Sequence, residues 1–124
     1  MNYFRCIGGN GGGGTGGTAI EYLFEPADLI ANYYIETNGN QAAYNGWSCT
    51  DFIPVTAGET LYCASRDNRN WNCWYDSNQN FISNFAHPST GYGTLTVPAN
   101  AAYVRFSYPT ADITNYIRYW RELT

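Results

Sequence analysis

The chain has 124 residues, enough for one domain with a modest core. Aromatic residues make up 18% of it, charged residues only 13%, Lys is absent, and the net charge is −4. Six scattered Arg supply no basic face, which argues against a nucleic-acid partner, and no apolar run nears the ~20 residues of a membrane span. This balance suits an all-β surface or binding domain, because Tyr and Trp give large contact area at little entropic cost. Met1–Ile7 has no apolar h-region, so no signal peptide is expected.

Residues 8–17, GGNGGGGTGG, hold eight Gly in ten. With no side chains to bury, the run reads as a linker, and residues 1–17 as an arm preceding a domain at 18–124. Gly suits close packing between chains, so Tyr3, Phe4, Gly11, Gly12, Gly13 and Gly14 are expected to meet other chains in an assembly. The alternative is a tail ordered by its own domain. Thr18–Phe24 alternates weakly and ends at Pro26. Leu29–Glu36 reads as a strand, Thr37–Gly46 as a polar connection with two Asn-Gly turn signals, and Trp47–Val55 as the next strand.

Thr56–Glu59 is a short turn, Thr60–Ser65 a strand and Arg66–Asn70 a polar loop. Trp71–Ile82, WNCWYDSNQNFI, is the clearest unit: a strand with two unlike faces, a turn of Asp76–Asn80, and a restart at Phe81. Asn84–Gly91 is irregular, Tyr92–Val97 a strand, Pro98–Asn100 a turn and Ala101–Tyr108 an alternating strand. Pro109–Thr114 is a loop and Asn115–Arg121 the last strand. Eight or nine short strands at this spacing predict an antiparallel β-sandwich or barrel. Ile53, Leu61, Phe81, Leu95, Val97, Val104 and Phe106 are its expected core, each contributing roughly 1.5–3 kcal/mol.

Four Cys stand at 6, 49, 63 and 73, in no zinc-site spacing. Cys63 and Cys73 flank Arg66–Asn70, so a hairpin there would set them opposite each other. Both a disulfide and two small apolar residues fit that placement, and free thiols are the expectation.

Three phrases occur in order: TDFIPVTAGETLY (Thr50–Tyr62), WYDSNQNFIS (Trp74–Ser83) and TLTVPANAAYVRFSYP (Thr94–Pro109). Across about Leu29 to Trp120 the chain resembles a family of small jelly-roll-like β-sandwich domains in tail, baseplate and fibre proteins of tailed phages. That family is similar to carbohydrate-binding modules. The resemblance implies a non-enzymatic virion module that binds host-surface glycan, assembled in the host cytoplasm. It implies no particular ligand contact.

Chemistry for catalysis is sparse. The one His, His87, reads as a surface loop residue with no local nucleophile or carboxylate. Asp67 and Asp76 make a glycosidase pair only if the fold joins them. Oxygen-rich clusters at 67–70 and 76–80 lack EF-hand spacing, and the Gly run lacks a Gly-Lys-Ser/Thr ending, so neither metal nor cofactor is expected. Two function classes follow: a glycan or receptor binder, and a purely structural virion decoration or head-fibre subunit. A secreted bacterial carbohydrate-binding domain is a third. For the virion readings the expected partners are other virion proteins or copies of the chain through the arm, with a glycan as a possible ligand.

Strand direction locates a binding rim. If consecutive strands are antiparallel, connections 56–59, 77–79 and 98–100 share one end, and 37–46, 66–70, 86–91 and 109–114 share the other. The second end carries Asn38, Asn40, Tyr44, Arg66, Asp67, Asn68, Arg69, Asn70, His87 and Asp112, edged by Trp47, Trp71 and Tyr92. Tyr44, Trp47, Asp67, Asn68, Arg69, Asn70, Trp71 and Tyr92 are the candidate ligand residues, with Trp71 and Tyr44 as stacking rings. The opposing expectation is that these rings pack under their own loops.

Overall fold

The computed structural model describes residues 3–7, 18–65, 69–87, 91–112 and 118–123. The strands are β1 (Tyr3–Ile7), β2 (Thr18–Tyr22), β3 (Ile30–Ile35), β4 (Gln41–Cys49), β5 (Ile53–Pro54), β6 (Thr60–Ser65), β7 (Asn72–Tyr75), β8 (Phe81–Phe85), β9 (Gly91–Thr96), β10 (Tyr103–Arg105), β11 (Ser107–Pro109) and β12 (Arg118–Leu123). Among the described residues there is no α-helix, only single 3-10 turns at Pro26–Asp28 and Thr110–Asp112. Every pairing is antiparallel, in sheets ordered β1-β2-β12-β6-β9, β5-β10-β7-β8 and β11-β4-β3.

The last two sheets are one layer. Trp47–Cys49 pair with Ser107–Pro109, and Ile53–Pro54 pair with Tyr103–Val104. Between them the Thr50 N–H donates to the Phe106 carbonyl at 3.0 Å. β4/β5 and β10/β11 are thus two long strands, each irregular at one step. Counted so, residues 18–123 carry nine described strands. The layers β2-β12-β6-β9 and β4/β5-β10/β11-β7-β8 have jelly-roll order, with β1 and β3 added at edges. β1 pairs in register with β2 of its own chain, from Tyr3↔Tyr22 to Ile7↔Thr18. Gly11–Gly14 lie outside the described residues.

The core lies between the layers. Phe106 stacks on Tyr119 at 3.9 Å between ring centroids, and Leu61, Cys63, Trp74, Val97, Val104 and Tyr108 pack around them. Leu61, Val97, Val104 and Phe106 are buried as expected, while Ile53 and Leu95 are partly buried against the same cluster. Phe81 departs from the expectation and is 42% exposed. It opens the edge strand β8, whose outer neighbour is the turn at 36–40.

That turn closes the β3–β4 hairpin, which folds over the outside of the β7 layer. Thr37–Gly46 is therefore not a long loop, because β4 already starts at Gln41. The Tyr75 hydroxyl donates to Gly39 C=O at 2.7 Å, and the Cys73 thiol donates to Glu36 C=O at 3.3 Å. A second small core results, of Ile35, Cys49, Cys73 and Tyr75. β7 is consequently buried on both faces: Trp74 belongs to the main core, Cys73 and Tyr75 to the second. Arg105 crosses beneath the hairpin, 5% exposed, with Nε donating to Thr50 C=O (2.9 Å) and Nη2 to Gln41 Oε1 (2.6 Å). Gly39 has φ 91°, and a Cβ there would sit 2.7 Å from Phe81 Cδ1. Gly39→Ala is expected to cost about 1–3 kcal/mol, read as a lower urea midpoint with unchanged slope.

Cys63 and Cys73 are not paired. Cys63 sits on β6 opposite Gly93 and Tyr119, Cys73 on β7 opposite Arg105 and Asn84, in different layers. No β6–β7 hairpin exists to bring them together. Cys49, Cys63 and Cys73 are free and buried. Burial pushes the Cys49 and Cys73 thiols up to about 11 and raises Cys63 as well. A thiol reagent at pH 8 is expected to leave these three unlabelled in the native protein and to label all four cysteines in denaturant. Labelling of any of the three under native conditions contradicts this burial.

Candidate functional site

β4 carries four residues, Tyr44–Trp47, opposite the single residue Asn32 of β3, since Ala31 pairs with Ser48 and Tyr33 with Ala43. Asn32 takes a left-handed φ of 68° and Gly46 one of 89°, so the backbone swings outward here. The bulge projects Tyr44 and Trp47 towards Tyr34 on β3 and Trp71 just before β7. Their rings make one cluster. Trp71 lies 4.6 Å from Trp47, 4.5 Å from Tyr34 and 5.8 Å from Tyr44. Tyr44 is parallel to Trp47 within 5°, at 6.2 Å. The Arg69 guanidinium lies 5.1 Å from the rings of both Trp47 and Trp71, a cation held over two π faces.

Buried amides fix the segment that carries Arg69 and Trp71. Asn72, fully buried, donates from Nδ2 to the carbonyls of Arg69 (3.2 Å) and Phe85 (3.0 Å) and accepts the Ser107 N–H at Oδ1 (2.9 Å). Asn84 Nδ2 donates to Asn70 C=O at 3.1 Å. The residues outermost in the cluster differ in exposure: Tyr44 is 44% exposed, Trp47 only 8%. Trp71 is the central support, and Tyr44 offers the free face.

Of the expected ligand residues, the structure joins Tyr44, Trp47, Arg69 and Trp71. Asn70 adjoins them, with its carbonyl tied to β8. Tyr92 is 82% exposed on β9 of the other layer, opposite Ala64, and makes no described contact with the four rings. Asp67 and Asn68 lie outside the described residues. The rim itself is largely as expected: Ser65↔Gly91, Asn72↔Phe85 and Trp47↔Pro109 gather the flanks of three long connections at one end. The fourth is a correction. Asn38 and Asn40 belong to the folded-over hairpin turn, beside Tyr75 and Phe81 at the opposite end. Tyr34 and Asn72 were not anticipated. Their signals were the Tyr33-Tyr34 pair in a polar strand and an Asn between Trp71 and Cys73.

His87 is the second correction. It is 2% exposed, stacked on Tyr108 at 4.9 Å and 7°. Nδ1 lies 2.9 Å from the Tyr119 hydroxyl and Nε2 3.3 Å from Ser107 C=O. The chain after Phe85 turns inward to fill the space between layers, which a rule from its loop position misses. Burial lowers its pKa to about 4. Asp76 is an Asx turn residue as expected, with Oδ1 accepting the N–H of Asn78 (2.8 Å) and Asn80 (3.0 Å).

A cleft of about 420 Å³ opens between β2 and β5, with Phe24, Asp28, Asp51, Phe52 and Arg121 in its walls. Its charged groups serve the fold. Arg121 bridges Glu21 (2.8 Å) and Glu59 (3.0 Å) and donates to Pro54 C=O, tying the two layers together. Asp51 and Asp28 each accept a nearby main-chain N–H. Among the described residues no helix is long and apolar enough to cross a membrane. No protein-family profile, no curated protein and no solved structure matches the chain.

Proposed function

We propose that this chain is a non-enzymatic virion module of the tail, fibre or baseplate type. It holds a host-surface glycan or receptor at the ring cluster, and its Gly-rich arm anchors it to other virion proteins or to further copies. The observation that carries the reading is the cluster itself. Four rings and a guanidinium are gathered at the loop-bearing end of a rigid jelly roll, with Tyr44 half exposed. A sugar stacks its C–H face on such a ring, and the Tyr and Arg polar atoms hydrogen-bond its hydroxyls. Binding, as opposed to catalysis, is the reading that rings and a guanidinium support.

Glycan-array and host-cell binding by wild type, Tyr44→Ala and Trp71→Ala test the reading. Tyr44→Ala is expected to lose at least tenfold in affinity, on the order of 1.4 kcal/mol, with unchanged unfolding. Trp71→Ala is expected to lose both binding and the ring cluster. Retained binding in both folded variants removes the site. Binding by none of the three, wild type included, favours the second reading, a structural decoration or head-fibre subunit. That reading draws on the burial of Trp47 and the partial cover of Trp71 by their own neighbours.

A further inference from the structure

A chain of hydrogen bonds joins the buried imidazole to the ring cluster without passing through solvent. A carbonyl only accepts, so His87 Nε2 carries the proton towards Ser107 C=O, and Nδ1 accepts from the Tyr119 hydroxyl. Ser107 is the junction. Its Oγ accepts the Ile35 N–H at 2.8 Å, next to Tyr34, and its own N–H donates to Asn72 Oδ1 at 2.9 Å. Asn72 in turn holds the Arg69 carbonyl at 3.2 Å. One residue of β11 therefore holds the imidazole and both walls of the cluster, the Tyr34 side and the Arg69–Trp71 side.

Acid acts on one end of this chain. A charged imidazole donates from both nitrogens, so the Tyr119 hydroxyl can no longer donate to Nδ1 and must turn its own proton away. The described groups that face it are the Tyr119 phenol of β12, the Ser107 carbonyl and Tyr108 ring of β11, and the neighbouring Phe106 ring. Beside the phenol stands the Cys63 thiol of β6, the strand partner of Tyr119. None of these described groups is a carboxylate, so among them a charge at His87 finds no counter-ion, and desolvation works to drive the charged ring from its slot.

We propose that His87 is an acid-operated release for the ring cluster: protonation withdraws the imidazole from Ser107, and Ser107 and Asn72 pass the loss to Tyr34, Arg69 and Trp71. At neutral pH the cluster is locked. In acid it loosens, and whatever it holds is held more weakly. The consequence for a ligand rests on the glycan reading of the cluster, whereas the coupling itself does not.

The coupling is therefore tested without ligand, on the ¹⁵N-labelled full chain by NMR from about pH 7 to about pH 3. The signals followed are the His87 ring and the four Trp indole N–H groups. The Trp47 and Trp71 indoles are expected to shift with the same midpoint as His87, while Trp120, on the outer layer beside Tyr22 and Tyr62, does not follow. In His87→Gln the shift of Trp47 and Trp71 is expected to vanish. If that variant does not fold, the wild-type midpoints alone decide. The proposal is overturned if His87 titrates while Trp47 and Trp71 stay still, or if they shift equally in His87→Gln. It is overturned as well if all four indoles collapse together, which is global unfolding. A blank glycan array touches none of these readouts.

Discussion

Lowering the pH from 6.5 to about 4 is expected to remove on the order of 3 kcal/mol of stability through His87 alone. The sign follows from the direction of the shift. Burial lowers the folded pKa from the ordinary 6.5 to about 4. Above 6.5 the ring is neutral in both folded and unfolded chains, so its contribution is complete. Between 6.5 and about 4 the unfolded chain takes a proton that the folded one refuses, and stability falls by about 1.4 kcal/mol per pH unit. Below about 4 both are charged and the slope from this group ends. Urea unfolding of wild type and His87→Gln at several pH values checks it. Carboxylates add the same background to both proteins, so the difference between the two curves is the readout. Parallel curves across that window would show that His87 is not buried as described.

Asn72→Ala is expected to cost about 3–5 kcal/mol. The side chain is fully buried and satisfies three main-chain groups on three segments: the carbonyls of Arg69 and Phe85 and the N–H of Ser107. Each buried group left without a partner costs about 1–3 kcal/mol, and the three share one site, so the costs combine less than additively. Against a typical domain stability of 5–15 kcal/mol the variant is marginal. The urea midpoint at pH 7.5 measures the loss with His87 neutral throughout. A loss below about 1 kcal/mol would mean that water replaces the amide, and that Asn72 does not hold the segment bearing Arg69.

Strands were legible wherever the pattern was local. Thr60–Ser65 is β6 residue for residue, and the Asp76–Asn80 turn and its Asx hydrogen bonds follow from residue type alone. The nine described strands agree with the turn spacing, and their jelly-roll order with the fold that the resemblance implies. Trp47, Arg69 and Trp71 were legible as a group, because antiparallel direction places their segments at one end; Tyr44 joins them through the bulge in β4 and not through a long loop. What failed was non-local. The β3–β4 hairpin folds over β7, which buries Cys73 and Tyr75 on a face that alternation assigns to solvent. It also carries Asn38 and Asn40 to the wrong end. Arg105 looks like an outward residue until that hairpin covers it. His87 has polar and Pro neighbours, yet fills a gap whose shape depends on Tyr108 and Tyr119, far along the chain.

The bulge that builds the ring cluster has a second consequence. β3 is the last strand of its layer, and an edge of that kind exposes unpaired N–H and C=O groups that a neighbouring chain can copy onto. Asn32 interrupts it midway with a left-handed φ, and four residues of β4 crowd opposite that one position. No flat run of more than three residues is left on either side. A strand this bent is a poor template for adding another strand. A chain with 44% hydrophobic residues and no Lys needs such a device, since the charged edge residue most used to deter stacking is missing. The irregularity that leaves Tyr44 half exposed thus also makes this edge a poor seed for edge-to-edge growth.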